Sequence, residues 1–401
     1  MKDKQIAKLI KAEEKRQKGT INLTASENYV SRDVLGALGS ILVNKYAEGY
    51  SAARYYYGTK IIDQIESLCK ERALKLFKLR PSEWAVNVQP LSGSPANVAV
   101  YLALVPPGGK IMGMALDQGG HLTHGHKVSI TGKFWIPAPY YVDKKTEQLD
   151  YDEIKRIALK EQPNIIVAGF TAYPRKIDWQ KFREIADAVV YPDGRQGAYL
   201  MVDMSHIAGL VAGGVHLSPF PYADIVTTTT HKTLRGPRAG LIFSRIDSRE
   251  LSKKIDRAVF PGLQGGPHAN QIASVSVALA EASRPEFKKY AKQIIANNKT
   301  LAAELKKRGW RLVSGGTDNH LLLVDVAGST DGKMTGKIAG ERLEKEGIIV
   351  NKNTIPFDTR TPADPSGIRL GTAAETTRGK KEKDMIKIAE RIDKILRKNR
   401  G

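Results

Sequence analysis

The stretch that determines the fold is residues 227–238, TTTTHKTLRGPR. Its four consecutive threonines are β-branched and favour an extended strand. The glycine–proline pair just beyond them requires a tight loop. Lys232 therefore lies where a strand gives way to a loop, close to His231, Arg235 and Arg238.

These neighbouring cations give Lys232 the chemistry of a nucleophilic amine. A lysine crowded by positive charge has its ammonium form disfavoured, so its pKa falls and free amine is present near neutral pH. Such an amine can form a Schiff base with an aldehyde. The alternative is a solvated basic turn, the ordinary setting of a lysine in a basic protein. Partners elsewhere in the chain favour the first interpretation.

A carboxylate at the end of an apolar strand is the first such partner. Asp203 follows the apolar run 198–202, where a carboxylate is costly unless it meets a cation. It precedes Lys232 by about one strand–helix–strand step, so two strands of one sheet would bring both residues to the carboxyl edge, where α/β sheets bind ligands. A lysine and a carboxylate facing a pyridine nitrogen are the contacts that pyridoxal phosphate needs. Alone, Asp203 could also be a strand-capping residue.

Two glycine-containing segments are candidates for the rest of such a site. Residues 92–97, SGSPAN, precede an apolar helix, and hydroxyls and N–H groups at a helix start suit a 5′-phosphate. An ordinary N-cap explains this segment equally well. Residues 119–125, GGHLTHG, follow a strand, and His121 there could stack on a planar ring or be structural.

An arginine lies in the apolar, strand-like stretch 366–372, SGIRLGT. Arg369 needs an anion if it is buried, and a substrate carboxylate held by two hydrogen bonds is one natural partner. An internal salt bridge is the other.

The apolar pattern predicts an α/β fold. Near-continuous apolar runs fit strands covered on both faces of a mostly parallel sheet, at 85–88, 110–114, 164–168, 199–203, 225–227 and 240–243. The predicted helices are 1–18, one from about 31, 61–79, 96–104, 179–189, a long one over about 269–308, 339–346 and a final basic one. Strands are also expected at 311–313 and 320–324.

We therefore predict a large domain with a helix-sandwiched, mostly parallel sheet and a smaller α+β C-terminal domain. The predicted boundaries are an N-terminal helical arm over 1–40, the large domain over 41–275 and the small domain over 276–401.

The composition of this 401-residue chain bears on its cellular location and on the kinds of partner that it binds. It has no apolar run long enough to span a membrane, and its start lacks the apolar region of a signal peptide. The single cysteine, Cys69, suits a reducing cytosol. The net charge of +21 could reflect a nucleic-acid surface, an anionic substrate or a solvated basic face. No nucleic-acid motif is found, so we expect only attraction of an acidic ligand.

Further motifs occur at 23–29, LTASENY; 44–50, NKYAEGY; 54–56, RYY; 203–206, DMSH; and 261–267, PGLQGGP. With the segments above, they run in one order from Ile21 to about Arg378. In these motifs and in their order, the chain resembles the serine hydroxymethyltransferase family, which consists of pyridoxal-phosphate enzymes of the aspartate-aminotransferase-like fold (fold type I). The blocks TTTTHKTLRG and GGHLTHG are specific to it, whereas other pyridoxal-phosphate families share only the aspartate and the lysine.

The resemblance implies that Lys232 forms the Schiff base with pyridoxal 5′-phosphate and that Asp203 is the partner of its pyridinium. The other implied cofactor contacts are His121 stacking on the ring, Thr171 and His206 on the side of its 3′-oxygen, Ser92, Gly93, Ser94 and His231 at the phosphate, and Tyr46 and Gly262 from the other subunit of a dimer.

For the substrates, the resemblance implies that Arg369 and Ser26 bind the amino-acid carboxylate. Glu48 matches the acid/base carboxylate at the serine hydroxyl and the folate, supported by Tyr55 and Tyr56. The residues that match the pterin site are Leu116, Gly120, Leu122 and Asn353. No metal ligands are predicted.

The implied activity is the reversible transfer of the serine hydroxymethyl group to tetrahydrofolate in a cytoplasmic homodimer, with neither a membrane nor a specific nucleic acid as partner. A methanopterin-type carrier in place of tetrahydrofolate, and a tetramer in place of a dimer, stay open. Residues 190–196 resemble an insertion in a surface loop, the C-terminal end is short for the family, and Thr171 stands where many members have serine.

Two other functions are compatible with the sequence. The first is a threonine-type aldolase on the same fold, which would need no pterin. The second is a basic, polyanion-binding protein that has lost catalysis. Dependence of serine cleavage on a reduced pterin separates the first from the expected activity, and a protein that lacks the cofactor's visible absorption would favour the second.

Overall fold

The structure is a computed structural model that describes residues 1–247 and 249–398. The described strands are β1 Ile21–Asn22, β2 Gly49–Tyr50, β3 Ala53–Arg54, β4 Trp84–Asn87, β5 Lys110–Met114, β6 Ile136–Tyr140, β7 Ile165–Ala168, β8 Tyr199–Asp203, β9 Ile225–Thr229, β10 Gly240–Arg245, β11 Arg311–Leu312, β12 Leu321–Asp325, β13 Ile348–Ile349, β14 Asn351–Asn353 and β15 Gly367–Gly371.

The described α-helices are α1 Lys4–Gly19, α2 Arg32–Leu38, α3 Lys60–Leu76, α4 Gly93–Leu104, α5 Ile130–Phe134, α6 Tyr151–Glu161, α7 Trp179–Asp187, α8 Ala208–Ala212, α9 Leu251–Arg257, α10 Ala269–Ala282, α11 Pro285–Lys307, α12 Gly336–Lys345, α13 Ala373–Thr377 and α14 Glu382–Arg397. Short 3₁₀ or π turns lie at Ile41–Asn44, Leu116–Gln118, Ala258–Leu263, Val313–Gly315 and Gly328–Thr330.

The chain divides into two compact units. The smaller unit consists of Met1–Glu27 and the chain from Gln293 onward, and the larger unit is Asn28–Lys292. The predicted domain boundaries after residues 40 and 275 stay a prediction. No helix in the described part of the chain is both long and apolar enough to cross a membrane.

A seven-stranded sheet organises the larger unit, in the order β4-β10-β9-β8-β7-β5-β6. Five neighbouring strands of the sheet pair in parallel, in the order β6, β5, β7, β8 and β9. Strand β10 is antiparallel to both β9 and β4. All residues of β7 and β9 are buried, as expected for strands covered on both faces. The sheet therefore confirms the predicted α/β class with a mostly parallel sheet.

The larger unit's core lies between this sheet and the helices that connect its strands. Buried side chains of α4, including Tyr101, pack with those of β5, β7 and β10 and with Leu251 of α9. Asp150 and Asp178 accept hydrogen bonds from the first N–H groups of α6 and α7, which fixes where these two helices begin.

The smaller unit contains a four-stranded antiparallel sheet in the order β11-β12-β15-β14. Its core includes Leu322 of β12, Leu343 of α12 and Met385 of α14, all fully buried, together with Trp310. Strand β1 pairs in parallel with β13, which joins the start of the chain to this unit. An antiparallel sheet with helices is the predicted α+β arrangement.

Several helices and strands, α6 among them, were not predicted, and two differences from the sequence-based prediction have a clear physical reason. The long helix predicted over 269–308 is wrong, because α10 ends at Ala282 and α11 starts at Pro285. A proline fits the first turn of a helix and breaks a helix interior, so it separates the two. Strand β6 was not predicted, since Pro137 and Pro139 lie within it; it forms an edge of the sheet, where strands tolerate proline.

The segment 190–196 is an exposed turn closed by an antiparallel bridge between Val190 and Gln196. It precedes β8, in line with the predicted surface loop.

Candidate active site

The register of two parallel strands places Asp203 beside the strand that leads to Lys232. In this pairing Asp203, the last residue of β8, lies opposite Thr227 of β9. Strand β9 ends at Thr229, and Lys232 follows three residues later. Both residues therefore lie at the carboxyl edge of the sheet, as the sequence predicted.

Two side chains and a backbone amide surround the Asp203 carboxylate. Oδ2 accepts a hydrogen bond from Asn97 Nδ2 at 2.9 Å and lies 3.2 Å from His124 Nε2. Oδ1 accepts a hydrogen bond from Ser205 N at 3.0 Å. The amide oxygen of Asn97 in turn accepts a hydrogen bond from the Thr227 hydroxyl at 2.7 Å, which fixes the orientation of the amide. The carboxylate is thereby held rigidly at the end of β8.

The carboxylate of Asp203 is ionised at neutral pH. Burial by itself would raise its pKa, but the hydrogen bond and charge of His124 and the positive charge of Lys232 outweigh burial and hold the pKa well below its usual range. The charge of Lys232 acts on this carboxylate, so the two groups are close enough to interact electrostatically.

His121 is a neutral imidazole at neutral pH. Burial, followed by the charge of His124, lowers its pKa from 6.5 to about 4, even though the charge of Asp203 opposes the shift. Its Nδ1 accepts a hydrogen bond from Thr123 N at 3.2 Å and lies 2.8 Å from the Thr123 hydroxyl. A flat, uncharged ring fixed in this way is suited to stacking on a planar cofactor.

The loop that carries Lys232 is fixed through its backbone. The carbonyl oxygen of Lys232 accepts hydrogen bonds from Arg235 N at 3.1 Å and from Asn28 Nδ2 at 2.8 Å. Asn28 also donates to the Tyr290 hydroxyl at 2.6 Å, and the guanidinium of Arg235 lies 4.9 Å from the centre of that ring. The main chain at Lys232 is thus tied to two other segments of the larger unit.

A helix start lies directly against the end of β9. Ser92 occupies the N-cap position of the twelve-residue helix α4, which begins at Gly93, but its side chain makes no capping hydrogen bond, and Ser94 follows in the first turn. A Cβ atom at Gly93 would come within 2.6 Å of Thr229 Cγ2, so only glycine allows this close approach. The free N–H groups and hydroxyls of this turn form a potential phosphate site.

His231 supplies a buried nitrogen that suits an anion. Within the described chain, its Nδ1 has no hydrogen-bond partner. Burial, and then the charges of Lys232 and Arg238, lower its pKa from 6.5 to about 3, so the ring is neutral and one of its nitrogens carries a proton. A phosphate oxygen beside it would satisfy this atom.

The loop after β5 carries His121 and three of the residues expected at the pterin. They are Leu116, in a short turn that follows the strand, the buried Gly120 and the exposed Leu122.

Thr171, in the loop after β7, joins the same edge of the sheet, because its N–H donates to Gly119 O at 2.9 Å. His206 follows β8 and is buried, and its carbonyl oxygen accepts a hydrogen bond from the Thr233 hydroxyl at 2.8 Å. The structure thus brings to one edge of the sheet the predicted ring residues, the phosphate residues of α4 and of the loop after β9, and three of the predicted pterin residues.

Glu48 belongs to a second group of contacts in the larger unit. Its Oε1 lies 3.3 Å from where a Cβ atom would stand at Gly265. The ring of Tyr46 packs on Gly266 and lies 5.0 Å from the ring of Tyr56. Tyr55 is exposed and lies 5.8 Å, edge-on, from Phe260, and Gly262 is exposed in the turn that precedes Gly265.

The smaller unit holds three of the predicted substrate residues. Arg369 of β15 is 5% exposed, its Nε donates to Asn351 Oδ1 at 3.0 Å, and burial lowers its pKa to about 10, which leaves it charged at neutral pH. Asn353 lies on β14, which pairs with β15. Ser26 directly follows a segment tied to β15, since Gly371 N donates to Leu23 O at 2.7 Å.

Sequence reasoning missed the residues that hold Asp203. Asn97 and His124 both lie in the segments singled out above, yet no role was given to them. The available signal was chemical: a carboxylate at the end of an apolar strand needs hydrogen-bond donors, and these two segments offered an amide and a second histidine.

Comparison with known proteins gives one family for the whole chain. A family model described as serine hydroxymethyltransferase matches residues 1–392. The chain is 55% identical to the serine hydroxymethyltransferase of Rickettsia typhi over 394 residues, which cover 98% of this chain and 90% of that protein. It is 54% identical to a probable serine hydroxymethyltransferase of Rickettsia bellii, with the same coverage. It is also 54% identical to the serine hydroxymethyltransferase of Desulfotalea psychrophila, which it covers to 88%.

Proposed function

The chain belongs to the serine hydroxymethyltransferase family, and from this premise we propose which of its residues carry out the reaction. The enzyme reversibly transfers the hydroxymethyl group of serine to tetrahydrofolate, which gives glycine and 5,10-methylenetetrahydrofolate, with pyridoxal 5′-phosphate as cofactor. When bound, the cofactor withdraws electrons from the substrate Cα so that the Cα–Cβ bond can break.

One observation carries the assignment of the cofactor residues: Asp203 and Lys232 follow adjacent parallel strands, and the charge of Lys232 acts on the Asp203 carboxylate. Lys232 would hold the cofactor's aldehyde carbon. Asp203, kept ionised by His124 and Lys232, would hold a proton on the pyridine nitrogen.

The remaining cofactor contacts fit the chemistry of the group. His121 would cover one face of the ring as a neutral imidazole. Thr171 and His206 would contact the side of the 3′-oxygen. The phosphate would be held by Ser92, Gly93 and Ser94 at the start of α4, by the buried nitrogen of His231, and by Tyr46 and Gly262 of a partner subunit.

Glu48 would be the general acid/base for the proton of the serine hydroxyl. A carboxylate at this position can accept the hydroxyl proton as the Cα–Cβ bond breaks and return it in the reverse direction. Tyr55 and Tyr56 would support it, and Tyr56 is already in contact with Tyr46.

The substrate residues supply charge and apolar contact. Arg369 would pair with the amino-acid carboxylate, together with Ser26, because a guanidinium binds a carboxylate through two parallel hydrogen bonds. The pterin would be bound by Leu116, Gly120, Leu122 and Asn353.

A homodimer would complete the active site. Residues 35–61 expose several large apolar side chains, among them Ile41 at 83%, Val43 at 67% and Tyr57 at 97%. Exposed apolar surface of this kind marks protein–protein contacts. These residues flank Tyr46 and Glu48, so a partner chain that covers them would receive both side chains at its own site. We place the enzyme in the cytoplasm, because its single cysteine, Cys69, is buried and forms no disulfide, which suits a reducing compartment.

Replacement of Lys232 tests this assignment. We expect Lys232→Ala to abolish tetrahydrofolate-dependent serine cleavage and to remove the visible absorption of the bound cofactor, with an unchanged circular dichroism spectrum. Lys160→Ala, at an exposed lysine of α6, is the matched control and should behave as the wild type. Full turnover by Lys232→Ala would refute the assignment.

A further inference from the structure

We propose that Glu66, in the middle of α3, is a positioning residue that sets the place of Glu48 in the active site. The inference rests on the proposed acid/base role of Glu48. Glu66 acts through Arg54, which binds the backbone on both sides of Glu48.

Glu66 is a fully buried carboxylate at the centre of a charged network. Its side chain is 0% exposed, and that of Arg54 is 3% exposed. Oε2 of Glu66 accepts hydrogen bonds from Arg54 Nη2 at 2.7 Å and from Gln89 Nε2 at 3.1 Å. Lys70 Nζ lies 2.9 Å from Oε1. A buried carboxylate is costly unless it is paired, so these cations and the amide hold Glu66 in one position.

The same network forms hydrogen bonds with the backbone on both sides of Glu48. Nη1 of Arg54 donates to Ala47 O at 2.9 Å and to Gly49 O at 2.5 Å. Gln89 Nε2 donates to Gly49 O at 3.0 Å as well as to Glu66. The carbonyl oxygens before and after Glu48 are therefore both bound by side chains that also bind Glu66.

The geometry explains why the charge of Glu66 is needed. Nε of Arg54 pairs with Asp63, whose side chain is 27% exposed, so Glu66 is the fully buried partner of the guanidinium. Without the negative charge of Glu66, Arg54 loses its strongest restraint, and its hold on the two carbonyl oxygens weakens. Glu48 would then sample positions away from the serine hydroxyl.

Loss of this restraint should appear in turnover. A displacement of about 1 Å at an acid/base group lowers turnover by about 100-fold. We therefore expect Glu66→Gln to lower kcat for serine cleavage by about 10- to 100-fold, with the cofactor content and the glycine Kd unchanged. The matched control is Glu71→Gln on the exposed face of the same helix, which should keep the wild-type kcat.

A double-mutant cycle separates positioning from a general structural role. We would measure kcat in the holoenzyme for the wild type, Glu66→Gln, Glu48→Gln and the double variant. If Glu66 acts through Glu48, the Glu66→Gln effect disappears in the Glu48→Gln background. Equal fractional losses in both backgrounds would overturn the proposal.

The single variants show which claim fails. A low kcat for Glu48→Gln with a wild-type kcat for Glu66→Gln would overturn the positioning role alone. A wild-type kcat for Glu48→Gln would overturn the acid/base role and the positioning role with it. If Glu66→Gln does not give folded holoenzyme, Glu66→Asp keeps the charge and shortens its reach. It should lower kcat and show the same non-additivity with Glu48→Gln, and an additive loss would overturn the proposal.

Discussion

At the scale of single residues, neighbours rather than burial decide the charge of Asp203. An isolated buried carboxyl group would take up a proton, and a neutral group could not balance a proton on a pyridine nitrogen. His124 and Lys232 reverse this tendency, and Asn97 fixes the carboxylate on its other side. The residue is therefore ready as an anion before any cofactor binds.

Two histidines of the site should make stability depend on pH. Folding lowers the pKa of His121 from 6.5 to about 4 and that of His231 from 6.5 to about 3. As the pH falls from 6.5 toward 4, the unfolded chain binds protons that the folded chain does not, so the free energy of unfolding decreases. Each histidine contributes at most about 1.4 kcal/mol per pH unit in this range.

Urea unfolding of protein freed of its cofactor, at a series of pH values, measures this slope. Between pH 6.5 and about 5, one fewer proton should be taken up on unfolding of His231→Gln. The slope of its unfolding free energy against pH should therefore be smaller by up to about 1.4 kcal/mol per pH unit. His268→Gln, at an exposed histidine, is the matched control. An unchanged slope in His231→Gln would show that this residue does not titrate as the structure indicates.

The chemistry of single residues could be predicted from the sequence only where neighbours along the chain define it. Lys232 and Asp203 were found because each stands at the end of a strand whose composition is distinctive. Asn97 and His124 lie 106 and 79 residues from Asp203 in sequence, and their bonds to it arise only once the sheet forms. No local sequence pattern predicts a contact between residues so far apart along the chain.

At the scale of elements, the hairpin β2–β3 directly follows Glu48 and depends on one glycine. Gly49 has φ +94°, and a Cβ atom there would collide with Ala53 O. We expect Gly49→Ala to distort the hairpin and lower kcat for serine by about 100-fold, because Glu48 is adjacent. Cofactor binding at the edge of the large sheet should be retained. Steady-state kinetics and cofactor absorbance measure the two effects separately.

Gly340→Ala is the control for this substitution. Gly340 lies within α12, outside residues 35–61, and a Cβ atom there would meet nothing within 4 Å. Alanine should therefore leave kcat unchanged and raise the stability by up to about 1 kcal/mol, since glycine is the poorer helix former. Equal kcat values for the two variants would contradict the role of the hairpin.

Element boundaries were predictable where composition and periodicity agree. The buried strands of the large sheet were located from their apolar runs, and the helices α4 and α7 from their periodicity. Strand β6 was missed because its prolines contradict a strand unless its edge position is known. The break between α10 and α11 carried a local signal, Pro285, which the long periodic pattern concealed.

At the scale of the whole molecule, the site residues of the larger unit fall into two groups. One surrounds Asp203 and Lys232, and the other surrounds Glu48 and Tyr46. If each active site takes Lys232 from one subunit and Glu48 from the other, two variants that each lack one of these groups can complement each other. We expect mixed Lys232→Ala and Glu48→Gln subunits to regain serine cleavage after co-refolding.

The fraction of activity that is recovered follows from the way in which the two variants combine into dimers. Random pairing makes about half of the dimers hybrids, and one of the two sites in each hybrid has both native residues, so about a quarter of the sites are active. Each variant alone, refolded in the same way, is the control and should keep only its own residual activity. Without exchange between subunits, mixing of the two folded variants should give no further activity. If co-refolded mixtures also show no gain although hybrid dimers form, Glu48 and Lys232 of one chain must serve the same site. The active site would then not be shared between subunits.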